Sequence, residues 1–511
     1  MPALGIIDVG SNTVRLSVVE VRANGAHLVR HEQKAALRLA ARPQPDGSLG
    51  AQAAADTVRV LEDFLAAGAD WGVSRWLAVA TAAVRRAKDR DTFLQRLNTA
   101  TGLGIRLLSA DEEAQLGLVG VLNTLAETDG FTVDIGGGSM EITRFVGRTR
   151  TASTSITLGA VNTAERFGLT GRAKPGALAE LGKALRQEAA AAVDWMHATP
   201  GLPLIGIGGS VRALAKLDRR QRQYPLAATH NYTLGPAAVL AMRDRLAGLT
   251  ARERLRLPGV AADRAEILAA GAALLGWVVE QLHPERVVVS GSGLREGLLY
   301  RTLLADQRTP LVPDVLAASV TNLELLHALP AARAARLAGL AAAVWEGLAP
   351  LALDAQGVGA RLVPVAARLR DVGTTVSYYD WERHASYILR EGRLFGLDHR
   401  ERLLLAAATG SASSAKVRQF LAPYASMLDP ADPQLATCMG VCVALAHGLD
   451  GEARGQAAPV SVGVLPSAVH ISVGAGPRHG FGGVLSLSGD FRKAFGRALS
   501  VTVTEGAART W

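Results

Sequence analysis

The chain has 511 residues, of which 49% are apolar, and its 55 Lys plus Arg against 46 Asp plus Glu give a formal net charge of +9. Such a length exceeds one hydrophobic core, so about three domains are expected, and the positive balance favours polyanionic substrates. Two isolated cysteines, Cys438 and Cys442, exclude a disulfide framework or zinc site, while the longest apolar run, bracketed by Glu266 and Glu280, is too short to span a bilayer.

In chain order, the first 125 residues read as two strands and a strand-like segment, a helix over 51–68, a strand over 74–80, a helix over 89–100, a strand over 105–108 and a helix over 112–122. This alternation predicts an α/β fold with a mixed sheet. From Thr132 it repeats: hairpin strands, a strand over 153–158, a helix over 175–197, a strand over 204–207, further helices, a strand over 286–290 and a final helix. Residues 306–313 read as a linker. Ala, Leu, Arg and Glu at helical spacing over 315–449 predict an all-helical domain. Strands are expected over 459–465, 468–473, 483–487 and 499–503. The predicted domains are 1–125, 126–305, 314–450 and 459–511, the last a small α+β appendage.

Two glycine-rich segments share one pattern. In the first, Asp8 is followed by Gly10, Ser11, Asn12, Thr13 and Arg15; in the second, Asp134 is followed by Gly136, Gly137, Gly138, Ser139 and Glu141. Each reads as strand, tight turn, strand, with glycine allowing close backbone approach to an anion. The copies lie too far apart for a solenoid repeat and suit duplicated half-domains around a cleft. Where they diverge, the cation Arg15 suits phosphate and the carboxylate Glu141 suits metal or water.

Between the copies, Thr81, Arg85 and Arg86 follow a strand directly, at the edge where open α/β sheets bind ligands. Arg85 or Arg86 is a candidate phosphate ligand by its bidentate fork. Ser109 and Glu112 read as a capping box, which leaves Glu113 without capping duty at a helix N-terminus, free to position a water. Gly208, Gly209, Ser210 and Arg212 form a strand, glycine turn and helix, an anion site at a helix N-terminus. The run from Ser290 to Gly297 repeats that theme.

Together these motifs, which span nearly all of residues 1–305, resemble the exopolyphosphatase and guanosine pentaphosphate phosphohydrolase family, within the sugar kinase, heat-shock protein and actin superfamily. The resemblance implies two ribonuclease-H-like, actin-like subdomains with a cleft, and Mg²⁺-dependent (or Mn²⁺-dependent) removal of terminal phosphate from inorganic polyphosphate. It assigns Glu113 as the residue that activates water, with Asp134 and Glu141 handling metal and water and Asp8 completing the metal shell. Ser11, Asn12, Thr13, Arg15, Arg85, Gly136, Gly137, Gly138, Ser139, Gly208, Gly209 and Ser210 match positions that hold phosphate. Hydrolysis of guanosine pentaphosphate is the alternative, and an ATP-dependent kinase of the same superfamily a more distant one.

The helical domain resembles the family's long-form region, related to His-Asp (HD) metal phosphohydrolases. Here Arg370-Asp371 stands where those hydrolases carry His-Asp, and only Arg383-His384 suggests a second histidine. A degenerate, HD-like domain without a second catalytic centre is expected, with His384 structural. Long polyanions and dimer contacts would fall to it, helped by Arg219, Arg220, Arg222 and Arg383. A cytoplasmic homodimer without a secretory leader, binding neither nucleic acid nor membrane, is the overall expectation.

Overall fold

The structure is a computed structural model that describes residues 3–197, 199–452, 460–474 and 482–503. It divides into two compact units, Met1–Val315 and Leu316–Trp511. Among the described residues no helix is long and apolar enough to cross a membrane.

The first unit holds two sheets of matching plan. One contains β1 (Ala3–Val9), β2 (Val14–Val21), β3 (His27–Ala35), β4 (Val73–Ala80) and β5 (Arg106–Leu107) in the order β3-β2-β1-β4-β5. The other contains β6 (Gly130–Ile135), β7 (Met140–Val146), β8 (Thr149–Ile156), β9 (Leu204–Ile207), β10 (Tyr232–Leu234) and β11 (Val287–Val289) in the order β10-β11-β9-β6-β7-β8. Each sheet starts with an antiparallel meander whose first strand then pairs in parallel with a strand beyond it. The duplicated motif is therefore a duplicated hairpin: Asp8 pairs with Arg15, and Asp134 pairs with Glu141. One hydrogen bond closes both turns, Gly10 N–H to the Thr13 carbonyl at 3.2 Å and Gly136 N–H to the Ser139 carbonyl at 3.0 Å.

Period-two alternation sends β1 side chains to two cores. Ile7 and Val9 join Leu61, Phe64, Phe93 and Leu97 from helices Gly50–Asp70 and Arg90–Thr101. Leu4 and Ile6 join Leu116, Leu298 and Leu299 from helices Ala110–Leu122 and Leu294–Leu303. The opposite side of Ala110–Leu122 buries Leu118, Val121 and Leu122 against Ile205, Ile207 and Val288 of the second sheet. This helix is thus apolar on both flanks and separates the halves. The outer face of the second sheet is covered by helices including Gly208–Gln221 and Leu268–Leu282.

Helices Ala110–Leu122 and Leu294–Leu303 cross in near backbone contact. A β-carbon on Gly120 would stand 2.1 Å from the Gly293 carbonyl oxygen, and one on Gly297 would stand 2.0 Å from that of Leu116. The final helix, last in the second half of the sequence, thereby returns to the first sheet.

Three segments differ from the pattern-based reading. The expected helix over 175–197 is broken into Ala177–Glu188, a 3₁₀ turn Ala190–Ala192 and Val193–His197, because Ala-rich periodicity does not register a change of axis. The strand expected over 153–158 begins earlier, at Thr149, and ends at Ile156, since its polar Thr and Ser residues pair with β7 regardless of hydropathy. The strand expected over 483–487 is instead a short helix, Gly482–Leu485, whose Val484 lies against Gly448.

The second unit is built from helices Ala331–Leu348, Val358–Arg368, Trp381–Glu391, His399–Gly410, Ser414–Leu421 and Asp432–Glu452. They bury Leu337, Trp345, Leu403, Cys438 and Cys442. A sheet of β12 (Val460–Val464), β13 (Ala468–Val473) and β14 (Ala498–Val503) follows in that spatial order. Pro459, in the expected first strand of this appendage, and residues 504–511 lie outside the described residues.

Gly297→Ala should cost about 1–3 kcal/mol, because overpacking against a carbonyl cannot be relieved by a rotamer change. Gly182→Ala is the control: its β-carbon would meet only the tip of Arg186 at 3.6 Å, so helix propensity should make it neutral or slightly stabilising. Thermal denaturation of both variants checks the contrast.

Candidate active site

The carboxyl ends of β1, β4, β6 and β9 open on a cleft of about 130 Å³. Asp8, Ser11, Asn12, Thr13 and Arg15 line it from the first hairpin, and Asp134, Gly136, Gly137 and Ser139 from the second. Thr81 and Glu113 complete the first half's contribution; Gly208, Gly209, Arg212 and Arg264 come from the second, and Gly293, Arg295 and Glu296 from the start of the last helix.

The first turn holds polar atoms that the protein does not satisfy. Asn12 is 7% exposed, and neither its Nδ2 nor its Oδ1 has a hydrogen-bond partner among the described residues; the same holds for Asp8 Oδ1. Buried polar groups without partners are costly and point to a ligand or ion that completes them. Ser11 accepts from the Ala83 N–H at 3.1 Å, and Thr13 accepts from Arg15 Nε at 3.2 Å.

In the second turn a β-carbon on Gly138 would collide with the Arg86 guanidinium, whose Nη1 donates to the carbonyls of Gly138 and Thr157. Arg86 therefore ties the first half to the turn of the second hairpin. Gly208 has φ +95°, and a β-carbon there would stand 2.7 Å from the Ile135 carbonyl, so glycine alone permits this helix to start beside Asp134. A side chain at Gly209 would meet the Arg264 guanidinium at 2.5 Å. Fully buried Arg254 anchors the Arg264 segment from behind, donating to the carbonyls of Ala265 at 3.3 Å and Glu266 at 3.4 Å.

Several expected ligands stand elsewhere. Arg85 does not line the cleft; its Nη1 donates to Glu113 Oε2 at 3.0 Å and to the Leu108 carbonyl at 2.8 Å. Glu141 is buried behind the turn, accepting from Ser155 Oγ at 3.1 Å. Gly138 turns its carbonyl to Arg86 and Asn162. Ser210 is buried against Gly271. The Ser109–Glu112 capping box forms as expected and leaves Glu113 on the cleft wall.

The sequence places Arg212 and Arg295 within glycine-turn motifs without assigning either side chain a task, and gives Arg264 no role. Arg295 lies in the first turn, and Arg212 at the start of the second, of helices that open at a glycine, a signal that was readable beside Arg15. Arg264 has none, since tertiary structure alone brings it to the cleft.

Burial and like charge shape the titration of these groups. Burial lowers the Arg15 guanidinium, with Arg295 adding to the effect, and pushes Arg212 down to about 10, helped by Arg15 and Arg295. Burial raises Asp8, lifts Asp134 to about 6 with repulsion from Asp8, and lifts Glu141 to about 7 with repulsion from Asp134. Glu113 is raised well above the carboxylate range by burial and by Glu141, against the pull of Arg85. Both signs of charge are therefore crowded, as at sites that take anions and cations together.

In the second unit, Asp371 accepts from Arg333 Nε at 3.0 Å, and Arg336 Nε donates to Asp450 at 2.9 Å. Arg370 lies over the Trp381 ring at 4.6 Å. Arg219 and Arg222, expected to serve long polyanions, belong to the first unit, where they donate to the Leu226 carbonyl and to Asp218. Among the described residues, no group of three or more His, Cys, Asp or Glu side chains gathers closely enough to hold a metal ion.

Comparison with known proteins decides the family. Residues 17–306 match the Ppx/GppA phosphatase family and residues 315–456 match Ppx/GppA phosphatase, domain III. The chain belongs to the Ppx/GppA phosphatase family. It is a hydrolase of phosphoric anhydrides. Its fold is similar to that of an exopolyphosphatase from Cytophaga hutchinsonii, with 22% identity, a TM-score of 0.56 and coverage of 61% of this chain and 100% of that one. It is also similar to the Aquifex aeolicus family member, with 25% identity, a TM-score of 0.52 and coverage of 60% and 99%.

The raised Asp134 makes a stability prediction. Its folded-state pKa of about 6 exceeds the ordinary 3.8, so the unfolded chain releases this proton first and rising pH favours unfolding. Asp134→Asn should therefore be more stable than the parent above pH about 6, by about 2–3 kcal/mol, with the gain vanishing below about 4. Denaturation midpoints across that range, without divalent ions, test the sign.

Proposed function

We propose that this family member is an exopolyphosphatase that removes terminal phosphate from inorganic polyphosphate with Mg²⁺ or Mn²⁺, using water activated by Glu113. The observation that carries the reading is the union, in one cleft, of unsatisfied Asn12 and Asp8 atoms with the guanidinium groups of Arg15, Arg212, Arg264 and Arg295.

The donor set fits a divalent cation. Asp8 offers an unpartnered carboxylate oxygen, and Asp134 on the facing hairpin is a second oxygen ligand; Mg²⁺ is commonly held by one or two carboxylates plus substrate phosphate oxygens. Glu141, engaged by Ser155, supports this pair from behind. When bound, the ion would neutralise charge on the terminal phosphates.

The chain's own groups supply the rest. Asn12 and the amides of the two turns are the candidates to hold phosphate oxygens, while the arginines offset the charge of successive phosphates. Arg85 orients Glu113, whose free oxygen receives a proton from the attacking water. Phosphoryl transfer depends mostly on positioning and charge neutralisation, which suits a cleft of rigid turns.

The lining has no aromatic side chain among the described residues, and its apolar members are Ile135, Ile207 and Leu294. That favours a polymer of phosphate over guanosine pentaphosphate, whose base wants a stacking surface. The helical unit is read as HD-like and degenerate, a reading supported by Arg333 on Asp371.

Phosphate release with Mg²⁺ should be fastest from long polyphosphate, slower from guanosine pentaphosphate and slowest from ATP. Glu113→Gln should lower kcat by about 10²–10⁴-fold, Glu141→Ala should lower kcat, and Arg15→Ala or Arg264→Ala should chiefly raise KM. Full turnover in Glu113→Gln would sink the mechanism, and preference for guanosine pentaphosphate would replace the polymer as substrate.

A further inference from the structure

In the turn between β6 and β7, three successive carbonyls each have a donor. Gly136 accepts from the Ala160 N–H at 2.9 Å and Gly137 from the Val161 N–H at 2.8 Å, the two amides that open helix Ala160–Arg166. The helix thereby satisfies its own unpaired donors on the turn. Gly138 accepts from two side chains, Asn162 Nδ2 at 3.1 Å and Arg86 Nη1.

Each of these bonds fixes a peptide plane. A trans peptide sets its N–H opposite its carbonyl, and the described residues contain no cis bond. With the carbonyls drawn toward the helix and Arg86, the N–H groups of Gly137, Gly138 and Ser139 point away from them. Among the described residues none of the three donates to a protein acceptor. Gly137 and Ser139 line the cleft, whereas Asn162 and Arg86 lie outside it.

The Gly138 peptide depends most on side chains. Glycine permits wide rotation, and no backbone N–H of the described residues donates to this carbonyl. Asn162 is fully engaged around it: Oδ1 accepts from the Gly159 N–H at 2.8 Å, and Nδ2 donates also to the Thr157 carbonyl at 2.7 Å. Arg86, from the first half, reaches the same Thr157 carbonyl at 3.2 Å. A β-carbon on Gly159 would stand 2.5 Å from the nitrogens of Gly138 and Ser139, so backbone packs directly behind the turn.

We propose that Asn162 and Arg86 are positioning residues, which turn the Gly138 carbonyl away from the cleft and so hold the Ser139 N–H ready for a phosphate oxygen. The inference rests on the reading that the second turn holds phosphate. One donor suffices to keep the peptide turned, so the two side chains cover for each other, and loss of both frees it.

Calorimetric titration of the full chain with inorganic tripolyphosphate and Mg²⁺, carrying Glu113→Gln to stop turnover, tests this. Asn162→Ala and Arg86→Ala should each weaken the Kd about threefold, and the double variant at least about thirtyfold, more than the product of the two. Asn162 is uncharged, so its effect cannot come from long-range attraction of a polyanion. Partial unfolding would lower the stoichiometry of binding and leave the Kd alone. With Glu113 restored, the KM for polyphosphate should rise in the same order while kcat stays within about twofold. An unchanged Kd in the double variant, effects that merely multiply, or a fall in kcat at constant KM would overturn the assignment. Absence of binding in the chain carrying Glu113→Gln alone would instead sink the phosphate reading of the cleft, and this inference with it.

Discussion

The crossing of helices Ala110–Leu122 and Leu294–Leu303 is the constraint on which the active site rests. Two glycines bring the helices together until a backbone carbonyl of one occupies the space of a missing β-carbon on the other. Both helices also deliver site residues from their first turns: Glu113 from one, Arg295 and Glu296 from the other. A shift at the crossing would move Glu113 relative to Arg295 and Glu296. Displacements of about 1 Å at a reacting centre cost about a hundredfold in rate. The glycine contact therefore acts on geometry as well as on stability.

Within the frame set by that crossing, the cleft concentrates charges that repel. Asp8, Asp134 and Glu113 line it together with Arg15, Arg212, Arg264 and Arg295, and Glu141 lies buried behind the second turn. Folding must bring these groups together without enough internal partners, as the unpartnered Asp8 and Asn12 atoms attest. Two surface pairs across the mouth, Lys34 with Asp263 at 3.1 Å and Arg38 with Glu266 at 2.6 Å, recover little of this because exposed pairs are weak. A bound cation and a polyanion relieve both kinds of repulsion at once. Binding energy and stored folding strain are thus linked through the same side chains.

Much of this was legible in the sequence, for reasons that differ by residue. The two hairpins were readable because Asp, Gly and a hydroxyl at fixed spacing encode a local turn, and the structure closes both turns with the same hydrogen bond. The capping box was readable because its partners are three residues apart. Arg264 was not, since its approach over Gly209 depends on Arg254 and on helix packing distant in the chain. The helix over 175–197 was overextended because alanine periodicity continues through the 3₁₀ turn at Ala190–Ala192. Gly482–Leu485 was misread as a strand because short apolar runs do not distinguish helix from strand, and its choice is made by Gly448 beneath Val484.

Arg85 shows why a residue's position on a ligand-binding edge does not determine its task. Spacing brought it to the carboxyl end of β4, where a phosphate ligand is expected, yet its guanidinium is occupied by Glu113 and the Leu108 carbonyl. Its charge opposes, without cancelling, the upward push that burial and Glu141 exert on the Glu113 carboxyl. A protonated Glu113 cannot accept the proton of an attacking water. Arg85 holds Glu113 and favours its ionised form, and in the proposed mechanism a cation shared by Asp8 and Asp134 would act in the same direction. On the proposed reading, Glu113 would become competent as a base when the cleft holds its ligands, which would couple the hydrolytic step to occupancy of the site.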